Sequence, residues 1–334
     1  MDNVIYYDVF DKPFEIFGLY GDVREDGYKR LPDHVGMNVS GRVAELYRHT
    51  SGGRIRFKTD AKAVSIKIKG DTALPWHMTN MMRHGVDVYI DSPGAERFAG
   101  SLCIPVLSKE FEACIGLGDG DKEVTLFLPL YGEVKEIKVG LPEGATLSAH
   151  TPYKHPTPVV FYGSSITQGA CASRAGRCYQ SIISRKYDLN FINLGFSGAA
   201  RAEDIIVDYM AGLEMSAFVS DYDHNAPNAE HLKATHHKMY LKIREKHPDI
   251  PYFMISRPDF SFNNDSVDRR AIIMESYLEA YNSGDRNVYF IDGSAFFNGA
   301  VSGDLTMEGT HPNDAGFERM AAYIGDVMAK AMRL

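Results

Sequence analysis

The run Val159-Val-Phe161 is apolar and β-branched, and it stops abruptly at Gly163-Ser-Ser-Ile-Thr167. That pattern reads as a buried parallel strand that delivers the Ser165 hydroxyl at its C-terminal tip, where the next helix begins. Open α/β sheets place their chemistry at that edge. A serine there could attack an acyl carbon, provided that a base takes its proton. Other chemistries fit the residues less well. The stretch Gly163 to Gly169 lacks the Gly-Lys-Ser/Thr ending of a phosphate loop, and no Gly-x-Gly-x-x-Gly fingerprint occurs, so no cofactor is implied. His231, His236 and His237 do not give the i, i+4 pair of a helical zinc site and read as solvated helix residues, so no metal site is read here. The four cysteines, Cys103, Cys114, Cys171 and Cys178, match neither a zinc ribbon nor a redox pair. Cys171, close behind Ser165, either lines a pocket or, as is commoner for a free thiol, fills a core.

These residues need a scaffold, and the chain supplies two kinds. Residues 1–150 carry short alternating segments: Arg54–Lys58, Ala63–Lys69, Val86–Ile90, Glu123–Leu128 and Val134–Val139. Gly, Asp and Pro turn signals separate them, as in Gly118-Asp-Gly-Asp121. Alternation means one buried and one wet face, so this half is expected to be an all-β sandwich of jelly-roll type. Residues 151–157 read as a stiff, proline-rich connector. From residue 158 to 334, strands alternate with helical stretches, which predicts βαβ units around a parallel sheet. The strands are expected at Val159–Tyr162, Asn190–Leu194, Ala217–Asp221, Tyr252–Ile255 and Val288–Ile291. Helical periodicity fits Arg177–Lys186, Ala229–Lys246, Ser266–Asn282 and Ala315–Met332. The fold class is thus α/β, a flavodoxin-like three-layer domain preceded by a sandwich.

At 334 residues the chain has ample apolar surface for two domains. A formal net charge of -8 argues against nucleic acid or an anionic membrane as main partner. Met1 to Phe10 shows no basic stretch, long apolar core or cleavage site, so a cytoplasmic protein is expected. Oligomeric state is not fixed by the sequence, and a homo-oligomer is compatible with it.

Four blocks, Gly163-Ser-Ser-Ile-Thr167, Asn193-Leu-Gly-Phe-Ser-Gly198, Asp223-His-Asn225 and Glu308-Gly-Thr-His-Pro312, fall in the order of the blocks of the SGNH (GDSL-like) hydrolases, which the chain resembles. The N-terminal half resembles the domain that precedes a subgroup of these enzymes and carries a Gly-x-Asp-Leu-Tyr signature. Here it reads Gly85-Val-Asp-Val-Tyr89, with Val88 in place of Leu. The resemblance implies Ser165 as nucleophile and His311 as base. It also implies an oxyanion hole made by the backbone N–H groups of Ser165 and Gly198 and the side-chain amide of Asn225. Two positions depart from the family pattern. Ser164 replaces the usual Asp after the first glycine, a position that supports the loop. Glu308 stands where an Asp normally precedes the histidine by three residues, and its extra methylene shifts the carboxylate by about a bond length. Glu308 is read as the orienting acid, with a Ser165–His311 dyad as the alternative.

Ser197 is a rival nucleophile, because Gly195-Phe-Ser-Gly-Ala199 approaches the Gly-x-Ser-x-Gly elbow of α/β-hydrolases. Ser165 is preferred, since it accounts for all four blocks. Trp76 and His77, in a run without alternation, could shape the substrate pocket or lie buried between domains. Arg174 and Tyr179, just past the nucleophile, could contact substrate or pack at a helix start. The resemblance implies a serine esterase for small acyl, above all acetyl, esters of a sugar or oligosaccharide. An acyltransferase would use the same residues. A non-catalytic carbohydrate-binding protein is the reading from a different class.

Overall fold

A computed structural model describes residues 3–70, 78–91, 97–105, 108–258, 265–300 and 302–334. Trp76 and His77 lie outside the described residues. Contacts divide the chain into two units. One comprises Met1–Pro32, Tyr47–Tyr153 and Ser173–Gly176, and the other Asp33–Leu46, Lys154–Ala172 and Arg177–Leu334.

The first unit is built on antiparallel strands. These are β1 (Val4–Asp8), β2 (Glu15–Phe17), β3 (Arg54–Thr59), β4 (Ala63–Gly70), β5 (Gly85–Ile90), β6 (Arg97–Cys103), β7 (Glu110–Gly116), β8 (Lys122–Phe127) and β9 (Val134–Pro142). One sheet runs β1-β9-β4-β7 and the other β2-β3-β8-β5-β6. Their inward residues form a single cluster, with Val64, Ile66 and Ile68 from β4 and Ile55, Phe57, Val86, Val88, Val124 and Leu126 from the second sheet. On β4 the alternation holds, with Lys67 and Lys69 exposed while Ile66 and Ile68 close the core, whereas β5, expected to have one wet face, is buried on both. Helices α1 (Val23–Asp26), α2 (Asp33–Val39), α3 (Gly41–Leu46) and α4 (Asn80–His84) also occur in this part of the sequence. All are too short to show a periodic stripe, which is why reading by period missed them.

The Gly85-Val-Asp-Val-Tyr89 signature has a packing reason at each fixed position. A Cβ on Gly85 would stand 2.1 Å from the Met81 carbonyl oxygen. Asp87 is fully buried and accepts hydrogen bonds from the Gly176 backbone at 2.8 Å and the Arg174 guanidinium at 2.9 Å, besides one from Ser101. Burying a carboxyl group is costly unless such donors meet it. The Tyr89 hydroxyl accepts a second bond from Arg174, at 2.6 Å. Val88, in place of Leu, is fully buried in the sandwich core.

The second unit holds the parallel sheet. Its strands are β10 (His155–Gly163), β11 (Leu189–Gly195), β12 (Ala217–Asp221), β13 (Tyr252–Ile255) and β14 (Val288–Ile291), in the order β11-β10-β12-β13-β14. Counted within the unit, that order is 2-1-3-4-5, the flavodoxin-like winding. Helices α5 (Ser165–Gln168), α6 (Tyr179–Tyr187), α7 (Asp204–Ala211), α8 (Ala229–Lys246), α9 (Ser266–Asn282) and α10 (Asp314–Met332) complete it. Helix α6 packs on α10, and α8 packs between α7 and α9. Val159 to Tyr162 are wholly buried, as a strand covered on both faces requires. β10 begins at His155, inside the run that the prolines mark as a connector. Pro156 and Pro158 fall where the β10–β11 register is broken between His155 and Val159, so their missing N–H groups cost no ladder bond there. No helix among the described residues is long and apolar enough to cross a membrane.

Candidate active site

The C-terminal ends of three neighbouring strands, β11, β10 and β12, carry the candidate residues. Gly163 pairs with Gly195 on one side and with Asp221 on the other. Both glycines are required by close approach. A Cβ on Gly163 would lie 2.3 Å from the Asp221 carbonyl oxygen, and one on Gly195 would lie 2.2 Å from the Gln168 nitrogen. The glycine of the elbow-like Ser197 segment therefore admits the backbone of α5.

Ser165 opens α5. Ser164 caps this helix, its hydroxyl accepting from the Ile166 N–H at 3.1 Å, which is work that Asp would also do. The Ser165 hydroxyl lies 2.8 Å from His311 Nε2. His311 Nδ1 lies 2.7 Å from Glu308 Oε1, and the same oxygen accepts the His311 backbone N–H at 2.9 Å. The extra methylene of Glu308 is thus absorbed with both bonds at ordinary length. Burial alone would raise the Glu308 carboxyl, but the backbone N–H and imidazole of His311 outweigh it and hold the group below the usual carboxylate range. An ionised carboxylate on Nδ1 favours the tautomer in which Nε2 is the acceptor facing the Ser165 hydroxyl.

The loop that carries this pair is pinned at several points. The Met307 N–H donates to the His311 carbonyl at 2.8 Å, and the Asn313 N–H to the Leu305 carbonyl at 3.0 Å. Asn313 then caps α10, accepting from Ala315 and Gly316. Gly316 is needed because a Cβ there would meet the Leu305 carbonyl oxygen at 2.3 Å.

The other two sequence candidates stand on the flanking strands. Gly198 sits in the turn after β11 with φ +72°, a left-handed conformation that suits glycine, and a Cβ there would meet only open space. Asn225 ends the short 3-10 turn Asp223–Asn225 after β12. Its Oδ1 accepts from the Ala200 N–H at 3.2 Å, which fixes the amide so that the NH2 is the group left to donate. A further bond, Ser197 N–H to Gln168 Oε1 at 3.0 Å, ties the β11 turn to α5. Backbone and amide donors of this kind can receive charge that develops on an oxygen.

Not every candidate joins this group. Among the described residues, no histidine hydrogen-bonds the Ser197 hydroxyl. Tyr179 is fully buried and donates to Asp221 Oδ2 at 3.0 Å, so it supports the site from beneath and offers no surface to a substrate. Arg174 belongs to the first unit, bound to Asp87 and Tyr89 with its guanidinium 3.7 Å from the Phe98 ring centroid. Burial, and then the Glu308 charge, push the Cys171 thiol up to about 12, which disfavours a free thiolate there.

Sequence reasoning missed the polar frame under α5. Asp221 is buried, and desolvation pushes its carboxyl up to about 6 despite bonds from Thr167 Oγ1 at 2.9 Å and from Tyr179. The Thr167 carbonyl accepts from Gln180 and from Asn193, each at 2.7 Å. Arg269 brackets the Asn225 turn, donating to the Asp223 carbonyl at 2.8 Å and the Ala226 carbonyl at 3.1 Å. Thr167 and Asn193 had a sequence signal, through their places in the first and second blocks, whereas Asp221, Gln180 and Arg269 had none.

Residues 156–329 match the GDSL-like Lipase/Acylhydrolase family, and residues 4–147 match the GxDLY family, the N-terminus of Esterase_SGNH_hydro-type proteins. No curated protein matches the chain in sequence. Among solved structures, a protein from Bacteroides ovatus described as a GDSL-like lipase is 28% identical, with a TM-score of 0.87 over 99% of this chain and 98% of that one. A salicylyl-acyltransferase from a tetracycline biosynthetic pathway is 22% identical, with a TM-score of 0.81 over 98% and 97%. A family two carbohydrate esterase from Cellvibrio japonicus is 13% identical, with a TM-score of 0.64 over 100% and 99%. The last two show a shared fold. With more than half of its length matched by one family and most of the remainder by that family's N-terminal partner, the chain belongs to the GDSL-like Lipase/Acylhydrolase family.

Proposed function

We propose that the protein is a serine esterase that removes small acyl groups, acetyl above all, from a carbohydrate alcohol. One observation carries the reading: Ser165 Oγ, His311 Nε2, His311 Nδ1 and Glu308 Oε1 form an unbroken hydrogen-bonded line, with links of 2.8 and 2.7 Å. In this reading Ser165 Oγ attacks the ester carbonyl as its proton passes to His311 Nε2, and the carbonyl electron pair moves onto oxygen. The N–H groups of Ser165 and Gly198 and the Asn225 amide bind that oxyanion. The pair returns, the C–O bond to the alcohol breaks, and His311 gives the proton to the leaving oxygen. Water then repeats the sequence on the acyl-serine and releases the acid. The carbohydrate assignment is supported by the fold shared with carbohydrate esterases. The fold shared with an acyltransferase supports a variant reading in which an alcohol replaces the water.

The test is release of p-nitrophenol from its acetyl ester by the wild type and by Ser165→Ala, with fluorophosphonate labelling and peptide mapping alongside. Turnover that Ser165→Ala loses, with the adduct on Ser165, is expected. Equal rates in the two proteins, or an adduct on Ser197, would overturn the assignment. Added sugar alcohols separate the two acceptors, since an esterase still yields acetate whereas an acyltransferase yields the acetylated sugar.

A further inference from the structure

Cys171 has no part in the mechanism above. Its sulfur, a carboxylate oxygen of Glu308 and an imidazole nitrogen of His311 nevertheless all lie within 4.8 Å of one another. One sulfur, one nitrogen and one oxygen donor make a set that zinc accepts, and three protein ligands leave a fourth position for water. The arrangement is also anchored. Cys171 is 6% exposed, and its backbone N–H donates to the Pro312 carbonyl at 3.0 Å, so thiol and imidazole ride on segments bonded to each other. Glu308 is the exposed member, and its Oε1 already faces His311 Nδ1 at 2.7 Å.

We propose that Cys171, Glu308 and His311 form an inhibitory binding site for a thiophilic divalent cation of the zinc type. Zinc bonds of ~2.0–2.3 Å imply donors roughly 3.3–3.8 Å apart, so donors that stand up to 4.8 Å apart must close by up to about 1.5 Å. The thiol proton leaves to solvent as the cation takes its place. The cation then occupies the imidazole and carboxylate on which Ser165 depends. Magnesium and calcium, which take oxygen ligands, gain nothing from the sulfur and should not compete. The inhibition rests on the esterase reading, whereas the binding does not.

The experiment uses tag-free full-length protein with zinc chloride or cadmium chloride as the probe. Equilibrium dialysis of zinc and the ultraviolet cadmium–thiolate band are read on wild type, Ser165→Ala, Cys171→Ala and Cys171→Ser. Because Cys114 is exposed, the band is taken as the difference from the Cys171 variants. Wild type and Ser165→Ala should each bind one equivalent of zinc more than Cys171→Ala and show the extra band. In the p-nitrophenyl acetate assay, zinc should inhibit the wild type and chelator should restore it. The inhibitory concentration should rise at least about tenfold in Cys171→Ala, the scale on which lost partners weaken metal sites. Without zinc, Cys171→Ala should match the wild-type rate, and Cys171→Ser serves if the alanine variant folds poorly. Equal inhibition of wild type and both Cys171 variants, or a wild type with no difference band, would overturn the site. Ser165→Ala reports binding without turnover, so an inactive wild type would sink the esterase reading and leave the metal result legible.

Discussion

Replacing Glu308 by Gln probes the charge of the proposed orienting acid, because one oxygen makes both of its contacts to His311. Oε1 accepts the His311 backbone N–H at 2.9 Å and faces Nδ1 at 2.7 Å. A Gln side chain keeps an acceptor at that point, and a flipped amide would set its NH2 against two donors. What is lost is the attraction between the carboxylate and the imidazolium, which exists in the transition state and not in the resting enzyme. At an effective dielectric of about 20, unit charges about 4 Å apart attract by about 4 kcal/mol. Both side chains are partly in water, at 20% and 30% exposure, which lowers the figure to about 2–4 kcal/mol. Each ~1.36 kcal/mol is tenfold in rate, so kcat for p-nitrophenyl acetate should fall by roughly 30- to 1,000-fold. Circular dichroism and the melting temperature should be unchanged, since the contact lies at the surface. A Glu308→Gln enzyme within about threefold of the wild type would refute the triad and leave a Ser165–His311 dyad.

Two other substitutions probe the frame. Asn225→Ala should lower kcat by ~10²–10³ with little change in KM. Asn225→Asp, which keeps an acceptor for Ala200 but has no NH2, should lose at least as much, and near-normal turnover would remove Asn225 from the oxyanion hole. Asp221→Asn should change the pH dependence of stability. Burial raises this carboxyl to about 6 in the folded protein against ~3.9 unfolded, so the folded state holds more protons between those values and loses stability as pH rises through them. The cost reaches about 3 kcal/mol above about pH 6, and an Asn that accepts from Thr167 and Tyr179 avoids it. Urea midpoints should fall with pH across this window in the wild type and stay flatter in Asp221→Asn. Parallel curves would show that Asp221 is not the group responsible.

Strands and helices with their own period could be read from the sequence, and those without one could not. Ala217–Asp221, Tyr252–Ile255, Val288–Ile291, Ala229–Lys246 and Ser266–Asn282 stand where the pattern placed them. Helix α7, by contrast, escaped notice, because eight residues give barely two turns of stripe. The residues proposed to react could be singled out because they fall in the blocks of the family pattern. Ser165, Gly198, Asn225 and His311 each sit in such a block. Their supports carry no comparable mark. Asp221 and Arg269 act through partners 54 and 46 residues away in the chain, and nothing local distinguishes them from ordinary polar residues. Tyr179 follows the second of its two readings, packing at a helix start. Its nearness in sequence to Ser165 suggested substrate contact, whereas a helix following the nucleophile turns its first aromatic ring into the core.

The site therefore rests on two kinds of foundation. Ser165, Gly198 and Asn225 hang from three adjacent strand ends whose spacing is set by the sheet ladder, and the Ala200–Asn225 and Ser197–Gln168 bonds lock the ends to one another. His311 and Glu308 ride instead on a loop that is bonded mostly within itself, between Leu305 and Asn313, and joined to the nucleophile side through Ser165 and through the Cys171–Pro312 bond. Donors to an oxyanion must be placed before charge develops, since moving them during reaction would spend the stabilisation they give. A base must keep its tautomer yet shift as a proton crosses from serine to leaving group. A sheet edge meets the first requirement and a self-bonded loop the second. The same division explains why one side-chain carboxylate can orient the base: within its own turn Glu308 has only to reach the third residue ahead, and the sheet is asked to hold nothing but the target.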